Sequence, residues 1–272
     1  MKIAIFDHLV VPTNAIGKCH LDILTQLADE HEFTVFAVEF DNPRPDRIRF
    51  VKVPAIRVIL LALMITYHMM APLSFWWYRL RTGEKFDTVQ GIGGNFLFAD
   101  IAYAHFCHRV YLRDHAASRP KEPIKRVYSY IYDSIVSTLE PISYGRAHHI
   151  VTPSRGLAEE LLKNFSGATE DKIRVIANPV DLERMQPTAD FDRQQMRGEL
   201  GFSESDIVMV FVATGHFERK GLPMLIEAMQ QVGSAELKLL IVGGREYMID
   251  DYSERVVKAG LKDQVVFTGF KG

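Results

Sequence analysis

Short apolar segments alternate with amphipathic segments along most of the chain, and this pattern predicts an α/β protein. Residues 3–6 are apolar and predict a first strand. Leu21, Leu24 and Leu27 follow at helical spacing, which predicts a helix with one buried face. A second strand is predicted over 33–40. This β-loop-helix-β order is the first half of a Rossmann-like unit with a parallel sheet.

The same order recurs in the second half of the chain. Residues 207–213 are apolar and rich in β-branched side chains, as in a buried parallel strand. A helix follows, in which Pro223 suits the first turn. Two further strands are predicted, at 237–242 and 265–268. The Asn178-Pro179 break and the polar residues after it separate the halves, so we place a domain boundary near Arg184.

A glycine turn and two adjacent cations lie between the 207–213 strand and its helix. The sequence from Gly215 to Gly221 is Gly-His-Phe-Glu-Arg-Lys-Gly. Such a loop opens at the carboxyl edge of a parallel sheet, and the next helix adds free N–H groups and a positive dipole end. We therefore expect Arg219 and Lys220 to bind a diphosphate. The Gly-Lys-Ser/Thr ending of a P-loop is missing from this segment, which disfavours nucleotide hydrolysis.

The composition is that of a globular protein. The chain has 272 residues, of which 47% are hydrophobic and 24% charged, and its formal net charge is −2. This balance does not favour a nucleic-acid partner. Cys19 and Cys107 are the only cysteines, and the first apolar run is too short for a secretory signal, so we expect a cytoplasmic protein.

Residues 56–78 are the most apolar part of the first half. Arg57 is their only charged residue, and a Trp-Trp-Tyr cluster ends the segment. Three interpretations stay open: a buried helix, a helix docked on a membrane surface, and a true span, which His68 and Pro72 would interrupt. Basic residues flank the segment and favour docking at the inner face of the membrane; they are Arg44, Arg47, Arg49, Lys52, Arg79, Arg81 and Lys85.

Four segments accompany the basic loop and together resemble family 4 glycosyltransferases, a group with the GT-B fold. Residues 150–155 read Ile-Val-Thr-Pro-Ser-Arg and resemble the family's "val-thr-pro-ser" strand end. Residues 175–184 resemble its "ile-pro-asn-gly-val-asp" interdomain segment. The 215–221 loop resembles its donor-phosphate loop, and 237–244 and 265–270 resemble the next two strands of its nucleotide-binding domain.

The resemblance implies a GT-B-like fold with two Rossmann-like domains, the second incomplete. Residues 1–184 would form the acceptor-side domain, and 185–272 part of the nucleotide-sugar-binding domain. The implied activity is that of a retaining glycosyltransferase of the hexosyltransferase type, which moves a sugar from a nucleotide-sugar donor to a hydroxyl acceptor. The acceptor would be a carbohydrate or a lipid-linked or envelope polysaccharide precursor.

The resemblance also assigns roles to individual residues. His105 matches in position the family's histidine at the interdomain cleft, which faces the donor sugar, and His108 is the second choice. Arg219 and Lys220 would neutralise the leaving diphosphate, so that no metal or other cofactor is required. Gly215 would let the backbone approach the phosphates.

Three more glycines are weaker candidates for lining the nucleotide. Gly243 and Gly244 end a predicted strand, but they could equally form a structural turn. Gly17 stands at the entrance of the first helix, where the family usually has two adjacent glycines, and a plain helix start is an equal alternative.

A metal site is a further possibility that the sequence disfavours. The side chains of His105, Cys107, His108 and His115 are ligand types, yet in a strand they would alternate between opposite faces. We therefore predict no metal site.

The chain also departs from the family in a motif that holds the donor. Family 4 enzymes carry a later Glu-x7-Glu motif, and no residue here can be assigned to it, so we expect a truncated chain that binds donor weakly and turns over little alone. Two alternatives stay open: another GT-B enzyme such as a nucleotide-sugar 2-epimerase, and a non-catalytic membrane-docking module. A nicotinamide dehydrogenase is disfavoured because no strand precedes a complete Gly-x-Gly-x-x-Gly motif.

Overall fold

The computed structural model describes residues 1–115, 123–180, 182–183 and 185–270. The chain forms two compact units, Met1–Asp181 and Leu182–Gly272. The predicted boundary at Arg184 lies outside the described residues. Each unit contains a parallel sheet with helices packed on it, so the predicted α/β class is confirmed.

The first unit is built around a seven-stranded parallel sheet in the order β5-β3-β1-β6-β7-β8-β9, beside a two-stranded pair β2-β4. Its strands are β1 (Lys2–Phe6), β2 (Leu9–Val10), β3 (Glu32–Ala37), β4 (Glu39–Phe40), β5 (Ile48–Lys52), β6 (Thr88–Ile92), β7 (Ile101–Tyr103), β8 (His149–Thr152) and β9 (Ile173–Val175). Its helices are α1 (Ala15–Leu27), α2 (Leu60–Thr82), α3 (His108–Asp114), α4 (Pro123–Arg146) and α5 (Arg155–Asn164).

Helices cover both faces of this sheet, as its alternating side chains require. In β1, Ile5 packs with Leu21 and Leu24 of α1 on one face. Phe6 packs on the other face with Tyr67 of α2. Its ring stacks on Phe36 at a centroid distance of 4.6 Å. The sheet therefore fixes α1 and α2 on opposite sides.

The strand predicted over 33–40 is two strands in the structure. β3 ends at Ala37, and Val38 donates its N–H to the His8 carbonyl oxygen at 3.0 Å instead of continuing the ladder. The next two residues form β4, which pairs with β2. The apolar run 35–38 continues through the end of β3, so the sequence pattern does not reveal this break.

The second unit has a three-stranded parallel sheet in the order β10-β11-β12. Its elements are α6 (Arg193–Glu199), β10 (Ile207–Val212), α7 (Leu222–Val232), β11 (Leu237–Val242), α8 (Glu246–Lys258) and β12 (Val265–Gly269). Leu239 and Ile241 of the central strand are fully buried against α7 and α8. The three strands predicted in this half are confirmed to within about one residue at each end.

Candidate functional site

Residues 214–221, here called the basic loop, connect β10 to α7. Phe217, near the middle of this loop, is fully buried. Its ring lies 5.7 Å from that of Phe211 in β10 and 5.3 Å from that of Tyr252 in α8, both edge to face. Such aromatic contacts hold a loop by burial as well as by ring geometry. The basic loop is thus anchored in the core of the second unit.

The next residue, Glu218, ties the basic loop to α8. Its Oε1 accepts a hydrogen bond from Nη1 of Arg255 at 2.6 Å. With Phe217 turned inward and Glu218 paired, Arg219 and Lys220 follow with their side chains exposed. One side of the loop is therefore fixed to the protein while the other presents its two cations.

Backbone bonds close the basic loop and lead it into α7. The N–H of Lys220 donates to the His216 carbonyl oxygen at 3.0 Å, and the N–H of Leu222 donates to the Phe217 carbonyl oxygen at 3.0 Å. Gly221 then takes a φ of 87°, in the left-handed region that favours glycine. It stands at the N-cap of α7, where no side chain accepts from the first N–H groups. Two cations and the positive end of a helix dipole thus share one loop, a combination that suits a phosphate.

The structure separates the glycines of this site by what surrounds them. Apart from Gly215 itself and its two chain neighbours, no described residue has an atom within 4 Å of where a Cβ on Gly215 would be. A Cβ on Gly243 would instead lie 2.4 Å from the Ala213 carbonyl oxygen, and one on Gly244 would lie 2.5 Å from Cζ of Phe217. Packing therefore explains Gly243 and Gly244, whereas Gly215 leaves open space. A nucleotide-lining role for Gly243 and Gly244 stays a prediction.

His105, the predicted sugar-facing residue, follows the end of β7 in the first unit. Its ring packs edge to face on Tyr103 at a centroid distance of 4.3 Å. Its Nε2 is buried and has no hydrogen-bond partner among the described residues. Burial lowers the pKa of the ring to about 4, so the imidazole is neutral near pH 7.

Sequence reasoning missed a buried polar group beside this histidine. His20 of α1 is fully buried. Its Nδ1 lies 3.3 Å from Oδ2 of Asp7, and its Nε2 lies 3.0 Å from Nε2 of Gln90. Asp7 directly follows β1, and Gln90 belongs to β6, so the carboxyl edge of the sheet carries this group. The position of Asp7 after a predicted strand was the available signal.

His108, the second choice, is held by the protein itself. It opens α3, and its Nδ1 lies 2.7 Å from Oε1 of the buried Glu140. The strand ends at Tyr103, so the predicted alternation of His105, Cys107 and His108 along a strand is wrong. Burial raises the pKa of the Cys107 thiol to about 11. No cluster of three or more His, Cys, Asp or Glu residues in the described part of the chain has the geometry of a metal site.

Gly17 has a packing reason of its own. A Cβ at this position would lie 2.3 Å from the Leu9 carbonyl oxygen. The side chain of Asn14 accepts hydrogen bonds from the N–H groups of Ile16 and Gly17, at 3.0 and 2.9 Å, and so caps α1. Close approach of α1 to the preceding loop is sufficient to require glycine here, and a ligand contact stays a prediction.

Comparisons with known structures support the fold. The structure is similar to WaaG, a glycosyltransferase involved in lipopolysaccharide biosynthesis, with a TM-score of 0.67, 14% identity, and coverage of 99% of this chain and 70% of that one. It is also similar to Anabaena HepE in complex with UDP-glucose, with a TM-score of 0.60, 16% identity, and coverage of 100% and 70%. The GT-B-like fold is thereby confirmed.

Sequence comparison points the same way. A probable transglycosylase of Burkholderia thailandensis is 37% identical over 105 residues, which are 39% of this chain and 28% of that protein. The chain thus matches less than a third of this relative's length. A family model described as Glycosyl transferases group 1 matches residues 206–271. A model described as Glycosyltransferase Family 4 matches residues 17–184, more than half of the chain, and the chain therefore belongs to that family.

Proposed function

We propose that the protein transfers a sugar from a nucleotide-sugar donor to a hydroxyl acceptor, with retention at the anomeric carbon. The observation that carries the proposal is the basic loop, anchored by Phe217 and Glu218 so that Arg219 and Lys220 are presented ahead of α7. Membership of Glycosyltransferase Family 4 supports it. The UDP and UDP-glucose held by Anabaena HepE support a nucleotide sugar as the donor.

In this proposal the diphosphate of the donor is held by the basic loop. Arg219 and Lys220 neutralise the negative charge that develops on the leaving nucleotide, and the N-terminal end of α7 adds its dipole. The open space at Gly215 lets a phosphate oxygen approach the backbone. These groups supply the charge that a divalent ion supplies elsewhere, so we expect activity without added metal.

His105 is the residue of the first unit that we propose as the contact to the donor sugar. Its buried Nε2 lacks a protein partner among the described residues and is able to bond a hydroxyl group. Because burial lowers its pKa to about 4, it would act as a neutral imidazole and orient a hydroxyl without adding charge.

The acceptor in this proposal is a carbohydrate or a lipid-linked precursor of an envelope polysaccharide, at the inner face of the membrane. The role of the similar protein WaaG in lipopolysaccharide biosynthesis supports this class of acceptor. Cys19 and Cys107 are both free thiols, as in a reducing cytoplasm.

Calorimetric titration tests the donor site. The full chain is titrated with UDP, GDP and ADP and with their sugar conjugates, and the measurement is repeated with Arg219→Ala and Lys220→Ala. We expect each variant to weaken binding by about tenfold or more. Lys258→Ala is the matched control, because Lys258 is an exposed cation of α8 in the same unit. Equal binding by all four proteins would overturn the assignment.

Product analysis separates transfer from the alternatives. Sugar transfer yields free nucleotide and acceptor-bound sugar of the donor's anomeric configuration, whereas a 2-epimerase changes the sugar without an acceptor. A non-catalytic module would give neither product. Repeating the assay with a chelator tests metal independence, since a metal-requiring enzyme would lose its activity.

A further inference from the structure

The outward face of α2 carries a continuous apolar stripe, here called the α2 stripe. Its residues recur at the spacing of one helical face; they are Ile65, Met69, Leu73, Trp76, Trp77 and Leu80. Leu80 is 80% exposed and both tryptophans are more than half exposed. Soluble monomers rarely expose six large apolar side chains on one helix face unless that face has a partner.

The opposite face of α2 is fixed in the core. Tyr67 and Ala71 are fully buried, and the Tyr67 hydroxyl donates to the Phe36 carbonyl oxygen in β3 at 2.8 Å. By length and composition α2 could cross a membrane, and only 28% of its most apolar window is buried in the protein. A spanning helix would have to leave the sheet, so the α2 stripe is placed to lie along a surface.

Basic residues lie at the C-terminal end of the α2 stripe, and the helix carries no acidic residue. No Asp or Glu occurs between 58 and 82. The Arg79 guanidinium lies over the rings of Phe75 and Trp76, at 5.4 and 5.1 Å from their centroids. Arg81 is exposed one residue beyond Leu80. Arginines beside tryptophans that face outward match an anionic headgroup zone better than they match an apolar protein surface.

α4 extends this surface at the start of α2. The N–H of Leu61 donates to the Tyr128 hydroxyl at 2.6 Å, which brings the first turns of the two helices together. Ile124, Val127 and Ile131 of α4 are exposed at helical spacing, and Arg126 is exposed beside them. Two helices thus expose apolar and basic residues where they meet.

A cavity of about 250 Å³ opens beside the α2 stripe. Ile65 and Met69 belong to both the stripe and the cavity wall. α4 contributes Ile135 and Leu139, and most of the remaining wall is apolar as well, with His68 and Asn95 as its polar residues. Such a lining has the chemistry of a hydrocarbon chain, which agrees with a lipid as the neighbour of this face.

We propose that the α2 stripe docks the protein on the surface of an anionic lipid bilayer. The apolar side chains and both tryptophans enter the boundary between headgroups and acyl chains, while Arg79 and Arg81 meet the lipid phosphates. This inference depends on the helix and not on the sugar-transfer chemistry, so each can fail without the other.

The tryptophans provide a specific test. Trp76 and Trp77 are the only tryptophans in the chain, so intrinsic fluorescence reports on the α2 stripe alone. The full chain is titrated with vesicles of phosphatidylcholine and with vesicles containing an equimolar share of phosphatidylglycerol. We expect a blue shift with the anionic vesicles, quenching by lipids brominated on the acyl chain, and weaker partitioning at high salt.

Matched substitutions locate the contact. Met69→Glu and Leu80→Glu place a charge on exposed positions and should lower the partition coefficient by about tenfold or more without unfolding the protein. Met224→Glu in α7 and Leu182→Glu are the controls, since Met224 and Leu182 are exposed to a similar degree in the second unit. They should bind vesicles like the parent chain.

Three outcomes would overturn the proposal. The first is unchanged tryptophan emission with both kinds of vesicle. The second is equal loss of binding in stripe and control variants. The third is a dimer in solution that Met69→Glu converts to a monomer while vesicles leave its emission unchanged, because the α2 stripe would then be an interface between copies of the chain.

Discussion

Gly243 approaches Ala213 so closely that a Cβ on the glycine would lie 2.4 Å from the alanine's carbonyl oxygen. The two residues follow the paired ends of β10 and β11, and the N–H of Ala213 donates to the Val242 carbonyl oxygen at 3.0 Å. Gly243 also takes a φ of 94°. We expect Gly243→Ala to lower the free energy of unfolding by about 2–4 kcal/mol, through both the contact and the backbone conformation.

Gly215→Ala is the informative comparison, because the structure leaves open space at that position. Its φ is not positive, so alanine should change the free energy of unfolding by less than about 1 kcal/mol. If Gly215 lets the backbone approach a phosphate, affinity for UDP should still fall. Urea denaturation and calorimetry on both variants separate the two roles. An unchanged affinity would leave Gly215 without the proposed function.

The ion pair between Glu218 and Arg255 is predicted to position the basic loop. Both side chains are partly exposed, so Glu218→Gln should cost less than about 1 kcal/mol of stability. Removing a negative charge beside the cations would by itself strengthen diphosphate binding. We nevertheless expect affinity for UDP to fall several-fold, because the charged contact that ties the loop to α8 is reduced to a neutral hydrogen bond.

Loss of the negative charge and loss of the ion pair should change the affinity for UDP in opposite directions, so the measured affinity distinguishes them. A tighter complex in the Glu218→Gln variant would show that charge matters and that the ion pair does not position the loop. Glu254→Gln is the control, since Glu254 is an exposed acid of α8 paired with Lys258 at 3.6 Å. It should leave both stability and affinity unchanged.

Most of the fold could be predicted from the sequence because buried parallel strands are continuous apolar runs. The strand predicted at 237–242 is β11, residue for residue. The break between β3 and β4 could not be predicted, because Val38 is apolar and buried like the β3 residues before it. It depends on a hydrogen bond to His8, 30 residues earlier in the chain.

The candidate site was predictable only where its residues are adjacent in sequence. Arg219 and Lys220 stand out as a pair between two glycines. The contact that holds them, from Glu218 to Arg255, joins residues 37 positions apart. The Asp7 and His20 pair joins a strand end to a helix on one face of the sheet. Neither pairing leaves a local pattern, since each depends on how helices pack against strands.

Tyr67 is predicted to hold α2 against the sheet without taking part in membrane binding. Its hydroxyl donates to the Phe36 carbonyl oxygen at 2.8 Å, and the side chain is fully buried. The same carbonyl also accepts from the Asp7 N–H at 3.4 Å, so Tyr67→Phe leaves it one partner. The variant should lose about 1 kcal/mol of stability in urea denaturation. Vesicle binding by the folded variant should match the parent, and a large loss would mean that the position of α2 had changed.

The lowered pKa values of His8 and His105 predict how the stability of the fold depends on pH. Burial lowers the pKa of each ring from 6.5 to about 4. The unfolded chain therefore binds protons that the folded chain does not, and stability present above pH 6.5 is lost as the pH falls towards 4.

Nε2 of His8 is buried without a hydrogen-bond partner among the described residues, so His8→Leu removes a titrating group at little structural cost. Urea denaturation over this range should give a flatter profile for His8→Leu, whereas His149→Leu, at an exposed position, should keep the parent profile. Parallel profiles for all three proteins would show that His8 does not contribute to the acid sensitivity of the fold.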